Sequence, residues 1–269
     1  MGTATTAKKP VTRTFDVYLR SMKSSTAICQ TTLLFLGLGL LISSCEKGEQ
    51  AAYNTISFGI SHSANGMPFS RGTAFTTAAG ESIVPQQFKY YLSNFSLITI
   101  TGQEVKAPPA YVLVDDAAEI SKAFALIVPA GVYKQLRFWI GVDSSRNVSG
   151  VQDGALDPVH GMFWTWNSGY IFAKFEGRSA ASTAPLQAVT YHIGGFRTGE
   201  NALRPVQLNF EPFTQEKDLH FQLQADIGKW FSGSHLIRVA SEPRTEMPGP
   251  LALKIADNYA RMFTLQQVN

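Results

Sequence analysis

The chain has 269 residues, with 23 Lys and Arg against 20 Asp and Glu, and a formal net charge of +3. Residues 1–44 hold five of the basic residues and one of the acidic ones, which leaves 18 basic and 19 acidic residues and a net charge of −1. The composition therefore excludes nucleic-acid binding as a leading function, because the basic balance belongs to the N-terminal leader.

Residues 1–44 have the pattern of a bacterial lipoprotein signal peptide. A basic leader precedes LLFLGLGLLI at 33–42, an apolar run about half as long as a membrane-spanning helix requires. The sequence Ile-Ser-Ser-Cys at 42–45 resembles a lipobox, which implies cleavage before Cys45 and a diacylglycerol on its sulfur. The alternative is a signal anchor with an incidental cysteine. Glu46 and Glu49 resemble the surface-export signals of Bacteroidetes lipoproteins.

The two cysteines of the chain, Cys29 and Cys45, are both used in this interpretation. Cys29 leaves with the signal peptide and Cys45 carries the lipid, so the mature domain has no thiol for a disulfide or a thiolate metal site. A bound metal would have to use histidine, carboxylate, carbonyl or unusual ligands.

The mature chain is predicted to be all-β. Residues 45–53 are a polar, lipid-anchored tether, and 54–269 form a single β-sandwich domain with a short C-terminal helix from about Pro250 to Phe263. Asn65-Gly66 is a strong hairpin signal. Predicted strands or extended arms, recognised by alternation and by aromatic and β-branched residues, cover 54–62, 70–77, 83–84, 87–98, 111–114, 124–128, 132–142, 188–193, 206–210 and 219–224.

Three histidines are candidate metal ligands. His62 shares one strand face with two apolar residues, and a buried histidine must form a hydrogen bond or bind a ligand. His192 precedes Gly194-Gly195, where a ligand can approach the backbone closely. His160 lies four residues before Trp164 in a glycine-bounded loop. The alternative for His62 and His192 is a core histidine with its hydrogen bonds satisfied.

The run from 139 to 177 contains three of the four tryptophans. If residues 164–170 are extended, the side chains of Trp164, Trp166, Ser168 and Tyr170 share a face. Such a group lines a site or simply forms an aromatic core, in which each ring buries about 150–250 Å².

An ordered set of short motifs resembles the MbnP-like family, named for periplasmic proteins encoded alongside methanobactin copper-uptake genes. The resemblance covers about residues 54 to 265, in a form like that of Bacteroidetes lipoproteins. The motifs are YYLSNF at 90–95, PAGVY at 129–133, IGVD at 140–143, GALDP at 154–158, GMFWTWNSGY at 161–170 and YHIGG at 191–195.

The resemblance implies extracytoplasmic copper binding. In related methanotroph proteins copper lies between histidines and a tryptophan that a di-haem enzyme of the MbnH type has oxidised to kynurenine. Transferred to this chain, the ligands would be His62, His192 and either Trp164 or Trp166, with such a peroxidase as a partner.

A second, oxygen-rich group suggests calcium as an alternative ligand. Asp143, Asn147, Asp153 and Asp157 fall in one stretch rich in turns, and oxygen ligands suit calcium. EF-hand spacing is absent from this stretch, and turn formation explains the same residues more simply.

The sequence contains no Gly-x-Ser-x-Gly nucleophile motif and no glycine-rich phosphate loop, so we expect a protein that is not an enzyme. The expected function is copper acquisition or handling at the cell envelope, with the lipid on Cys45 holding the chain to the outer membrane on its periplasmic or surface side. The alternative is a non-catalytic cell-surface interaction module that binds no metal.

Overall fold

Two mixed β-sheets account for most of the computed structural model, which describes residues 52–108, 110–165, 169–214 and 219–268. The strands of these residues are β1 (Tyr53–Ala64), β2 (Met67–Pro68), β3 (Phe75–Thr76), β4 (Ser82–Thr99), β5 (Glu104–Lys106), β6 (Tyr111–Asp115), β7 (Ala123–Pro129), β8 (Val132–Ile140), β9 (Phe163–Trp164), β10 (Gly169–Arg178), β11 (Ala188–Gly194), β12 (Arg204–Thr214), β13 (Leu219–Asp226), β14 (Arg244–Thr245) and β15 (Phe263–Val268). The helices are α1 (Ser144–Asn147) and α2 (Pro250–Tyr259), and 3₁₀ turns lie at Glu119–Lys122, Gly154–Leu156, Pro158–His160, Pro185–Gln187 and Ile227–Phe231.

The smaller sheet has the order β15-β13-β1-β2, and β7 also pairs with β1. The larger sheet has the order β12-β8-β4-β10-β11-β14, with β3, β5 and β6 pairing with β4 and with β9 pairing with β10. Most neighbours are antiparallel, but β1 with β13 and β11 with β14 are parallel. The predicted all-β sandwich class is confirmed.

Aromatic side chains fill the space between the two sheets. Phe58 of β1 stacks on Phe124 of β7 with ring centroids 4.9 Å apart, and Phe124 also contacts Phe95 of β4 at 4.9 Å. Phe263 of β15 contacts Phe138 of β8 at 5.2 Å. These contacts join strands of the smaller sheet to β4 and β8 of the larger one, so the core lies between the sheets.

Local sequence patterns explain the β1–β2 hairpin and the central strand β4. Asn65 and Gly66 both have positive φ, 54° and 80°, as a tight hairpin turn between β1 and β2 requires. The aromatic and β-branched run predicted as a central strand is β4, which pairs with β10 over its first half and with β8 over its second half.

The C-terminal prediction was correct at its start and wrong at its end. The helix α2 begins at Pro250 and buries Ala252, Ile255 and Tyr259, but it ends at Tyr259. Phe263, which we had predicted to be helical, begins β15. The reason is that β15 completes the smaller sheet by pairing with β13, which places Phe263 in the core.

Within the run from 139 to 177, residues 164–170 do not form the single extended segment that would place their side chains on one face. Trp164 of β9 is paired with Gly169 of β10, so the chain reverses between them in a hairpin. Tyr170 contacts Tyr91 with ring centroids 5.9 Å apart, and its hydroxyl donates to the carbonyl of Leu156. The run therefore packs over the larger sheet through loops and a hairpin.

Several predictions concern residues outside those that the structure describes. These are the signal peptide at 1–44, the lipidated Cys45, the tether up to residue 51, and Trp166. Tyr53, which we assigned to the tether, is the first residue of β1.

Within the described part of the chain, no helix is long and apolar enough to cross a membrane.

Trp230 is expected to be a main source of stability. It is 1% exposed, and its ring contacts Phe88, Phe175 and Tyr259. Trp230→Ala should lower the free energy of unfolding, measured by urea denaturation, by about 3–5 kcal/mol. The matched control is Trp139→Ala, because Trp139 is 37% exposed and should cost less. Equal losses in the two variants would contradict this account of the core.

Candidate metal site

A polar row crosses the outer face of the larger sheet. Lys89, Lys174 and His192 are directly opposite one another on β4, β10 and β11. Side chains alternate along a strand, and Tyr191, the residue before His192, is fully buried against Phe175 in the core. His192 therefore points away from the core.

A carboxylate holds the His192 imidazole. Its Nε2 lies 2.7 Å from Oε1 of Glu176, and the His192 side chain is 15% exposed. The hydrogen bond from His192, together with nearby positive charge, keeps the pKa of Glu176 below its ordinary value although burial opposes this. Ionised Glu176 accepts a hydrogen bond from Nε2, and in a neutral imidazole of this tautomer the lone pair lies on Nδ1. Metal-ligating histidines are commonly oriented by a carboxylate in this way.

A cleft of about 550 Å³ opens beside His192, and we call it the outer cleft. His192 and Trp164, which were predicted from the sequence to share a site, line this cleft together with a segment about fifty residues later in the chain than His192. The residues that line the outer cleft are Trp164, His192, Arg244, Thr245, Glu246 and Met247.

Gly194 provides the space for the Trp164 ring. A Cβ atom on Gly194 would lie 2.7 Å from Cζ3 of Trp164 and 2.5 Å from the carbonyl oxygen of Tyr170. Gly195 has φ +116°, and a Cβ atom there would lie 2.2 Å from the carbonyl oxygen of Glu200. Gly194 is therefore needed to place Trp164 in the wall of the outer cleft, whereas Gly195 allows the close approach of the Glu200 backbone.

The opposite wall is attached to the edge of the larger sheet. The short strand β14 runs parallel to β11, with Thr190 opposite Arg244. The Tyr191 hydroxyl donates to the carbonyl of Glu242 at 2.8 Å, which holds the residues that lead into β14. Met247 follows β14 and is 58% exposed.

His62 lies on the inner face of β1, as its spacing predicted, and both of its ring nitrogens have protein partners. Nδ1 is 2.6 Å from Oδ1 of Asp116 and Nε2 is 2.9 Å from the hydroxyl of Tyr90. The side chain is 2% exposed. These contacts describe a core histidine whose hydrogen bonds are satisfied, which is one of the two alternatives that the sequence left open.

The structure does not bring His62 and His192 together. His62 contacts Phe88 and Tyr90, which are on the inner face of the larger sheet. Phe88 is opposite Phe175, a core residue, whereas His192 is on the outer face. The sheet lies between the two histidines, so His62 could join a ligand set with His192 only after rearrangement.

The Asp116 carboxylate is paired with three basic side chains. Its carboxylate is 2.6 Å from His62, 3.3 Å from Arg71 and 3.3 Å from Lys122. Burial alone would raise the pKa of Asp116, but the hydrogen bond and charge of His62 and the charge of Lys122 outweigh it and lower the pKa. These contacts link β1 to the segment after β6, and they satisfy the Asp116 carboxylate without a metal.

His160 lies in the loop above the polar row and is not among the described residues that line the outer cleft. Its Nε2 is 3.0 Å from the carbonyl oxygen of Gly154. Lys89 and Lys174 donate to the carbonyl oxygens of His160 and Gly161, at 3.4 Å and 2.7 Å. Burial lowers the pKa of Lys174.

The four residues considered for calcium have other contacts or lie apart. The Asp143 carboxylate accepts hydrogen bonds from Tyr111, Ser145 and the backbone of Arg146. The Asn147 side chain donates to the carbonyl of Val142, and its oxygen accepts from the backbone N–H of Tyr170.

Asp157 accepts from the backbone N–H of Val159 at 2.8 Å, and Asp153 is exposed. Among the described residues there is no group of three or more His, Cys, Asp and Glu side chains placed to hold a metal ion.

Sequence reasoning missed Glu176 and Met247. Glu176 is two residues from Lys174 on β10, and its contact with His192 depends on the register of β10 and β11. Met247 lies between Glu246 and Pro248 in an irregular segment without hydrophobic periodicity. A register prediction for β10 and β11 could have found Glu176, but no local signal identifies Met247.

The fold and this site define a two-sheet β-sandwich protein with a histidine–tryptophan cleft on the outer face of its larger sheet. The chain belongs to the MbnP family, whose family model matches residues 53–248. The resemblance predicted from the sequence motifs is thereby confirmed.

Among solved structures, MbnP from Methylosinus trichosporium is similar, with a TM-score of 0.54 and 15% sequence identity. The alignment covers 81% of this chain and 100% of that chain. At this identity the likeness shows the fold. No match to a curated protein sequence was found.

The Asp116 cluster should make stability depend on pH in the acid range. Because the folded-state pKa of Asp116 is lowered, its contribution is present above the ordinary carboxyl value of 3.8 and is lost as the pH falls through the folded-state pKa. Asp116→Asn should lower the free energy of unfolding at neutral pH and weaken its acid dependence, measured by urea denaturation across pH. Asp153→Asn, at an exposed carboxylate, is the control. Identical pH profiles for the Asp116 variant and the unmodified chain would contradict this role.

Proposed function

We propose that this protein binds copper outside the cytoplasm and serves in copper acquisition or handling at the cell envelope. The observation that carries the proposal is that His192, held by Glu176, and Trp164 line the same cleft. Membership of the MbnP family supports it. The family resemblance implies a histidine and a tryptophan beside copper, and residues of both types line this cleft.

The donors of the outer cleft fit copper. Imidazole nitrogen is a good copper ligand. Glu176 accepts a hydrogen bond from Nε2 of His192, so that the Nδ1 lone pair is available for the metal. A bound copper ion would supply metal storage or transfer, while Glu176 orients the imidazole and Gly194 positions the Trp164 ring.

The ligand set proposed here differs from the one expected from the sequence. It retains His192 as a ligand, with Trp164 in the wall of the cleft, and leaves out His62, because Asp116 and Tyr90 occupy both nitrogens of His62 inside the core. Copper binding at His62 would break two buried hydrogen bonds, and each unsatisfied group would cost about 1–3 kcal/mol.

Attachment to the outer membrane through Cys45 is part of the same proposal. Its support is the sequence of residues 1–45, in which a short apolar run ends at a lipobox-like cysteine. An anchored chain would keep the outer cleft in the envelope, where copper enters the cell.

Copper binding should depend on His192. We expect the full chain to take up copper when loaded, measured by elemental analysis after dialysis. His192→Ala should abolish this uptake, and Glu176→Gln should weaken the affinity by about 10–100-fold because outer-shell partners have effects of that size.

The control for this experiment is His160→Ala, a change at a histidine that does not line the cleft. It should bind copper as the unmodified chain does. Unchanged uptake in the His192 variant would refute the site, and an unmodified chain that takes up no copper would refute the function.

Lipid attachment should depend on Cys45. In cells that express the full chain, we expect labelled fatty acid on the protein and its recovery with the membranes. Cys45→Ala should lose the label because the acceptor sulfur is gone, whereas Cys29→Ala should keep it. A labelled Cys45 variant would show that this residue is not the attachment site.

A further inference from the structure

The outer cleft has a soft donor that the copper proposal has not used, the thioether of Met247. We propose that the cleft holds copper as copper(I), with the Met247 sulfur as a ligand beside His192. This inference rests on the proposed copper-binding function and specifies the oxidation state that the site selects.

Met247 is placed for this role by the edge of the larger sheet. It is 58% exposed and yet lines the same cleft as His192 and Trp164. The parallel pairing of β14 with β11 brings its segment alongside His192 although the two are 55 positions apart in the chain. The Thr245 hydroxyl donates to the Met247 carbonyl at 3.2 Å, which turns the chain directly after β14.

The oxygen donors of the outer cleft already have protein partners. The Glu246 carboxylate is paired with Arg244 at 2.5 Å, and Glu176, next to the cleft, is paired with His192 at 2.7 Å. The Thr245 hydroxyl is used by the Met247 carbonyl. Within the described residues, no three His, Cys, Asp and Glu side chains converge. Among the described side chains that line the cleft, imidazole nitrogen and thioether sulfur are therefore the donors that these pairings leave for a metal.

This pair of donors distinguishes the two oxidation states of copper. Copper(II) favours square or tetragonal sets of nitrogen and oxygen ligands, whereas soft thioether sulfur selects copper(I). The Trp164 indole in the wall adds an aromatic surface of the type that attracts cations most strongly.

The test compares the full chain with Met247→Leu, a change that keeps the side chain apolar and similar in volume. Copper(I) is supplied under reducing conditions against a competing chelator, silver(I) serves as a probe that does not change oxidation state, and copper(II) is titrated separately. Because an outer-shell change weakens metal affinity by about 10–100-fold, loss of a ligand should weaken copper(I) and silver(I) binding by at least about tenfold. Copper(II) binding should be weak in both proteins.

Met67→Leu is the matched control, because Met67 is 69% exposed on β2, in the smaller sheet. It should bind copper(I) and silver(I) as the unmodified chain does. X-ray absorption at the copper edge gives a second readout, with a sulfur neighbour expected in the unmodified chain and lost in Met247→Leu.

The outcomes separate this inference from the copper function. If Met247→Leu binds copper(I) as tightly as the unmodified chain, or if copper in the unmodified chain has no sulfur neighbour, the inference is overturned while His192-dependent copper binding stands. If the unmodified chain prefers copper(II), the inference is also overturned. If the unmodified chain binds copper in neither state, the copper function and the inference fail together.

Discussion

Aromatic packing between the two sheets decides which side of each strand faces the core. Phe58 and Phe124 of the smaller sheet meet Phe95 of the larger one within this layer. Once Tyr191 on β11 is fixed in the core, its neighbour His192 must point to the other face, because side chains alternate along a strand. The outer cleft is thus a consequence of how the core is packed.

The fold could be predicted well because its signals are local. Alternating strands, the Asn65-Gly66 turn and the aromatic run of β4 are each recognisable within a few residues, and together they indicate a sandwich. The start of α2 was also predictable from Pro250 and the helical spacing after it. The end of α2 was not, because the pairing of Phe263 with β13 depends on an edge that only the assembled sheet provides.

The site could be predicted only in part because its residues meet through register and edge pairing. His192 and Trp164 were identified by their neighbours in the chain, but the Glu176 partner depends on the exact alignment of β10 with β11. The partner of His62, Asp116, is 54 residues away in a turn after β6. The alternation of side chains along β1 correctly predicted that His62 lies on a buried face. The same alternation cannot distinguish a buried histidine with satisfied hydrogen bonds from a buried metal ligand.

The two-residue length of β14 has a consequence for the local stability of the wall of the outer cleft. The wall that carries Met247 is joined to β11 through the two-residue pairing of Arg244 and Thr245 and the Tyr191–Glu242 hydrogen bond just before it, at the edge of the larger sheet. Such an edge opens locally at a much lower free energy than the sandwich unfolds. We therefore expect this wall of the outer cleft to have a lower local stability than the sandwich that carries it.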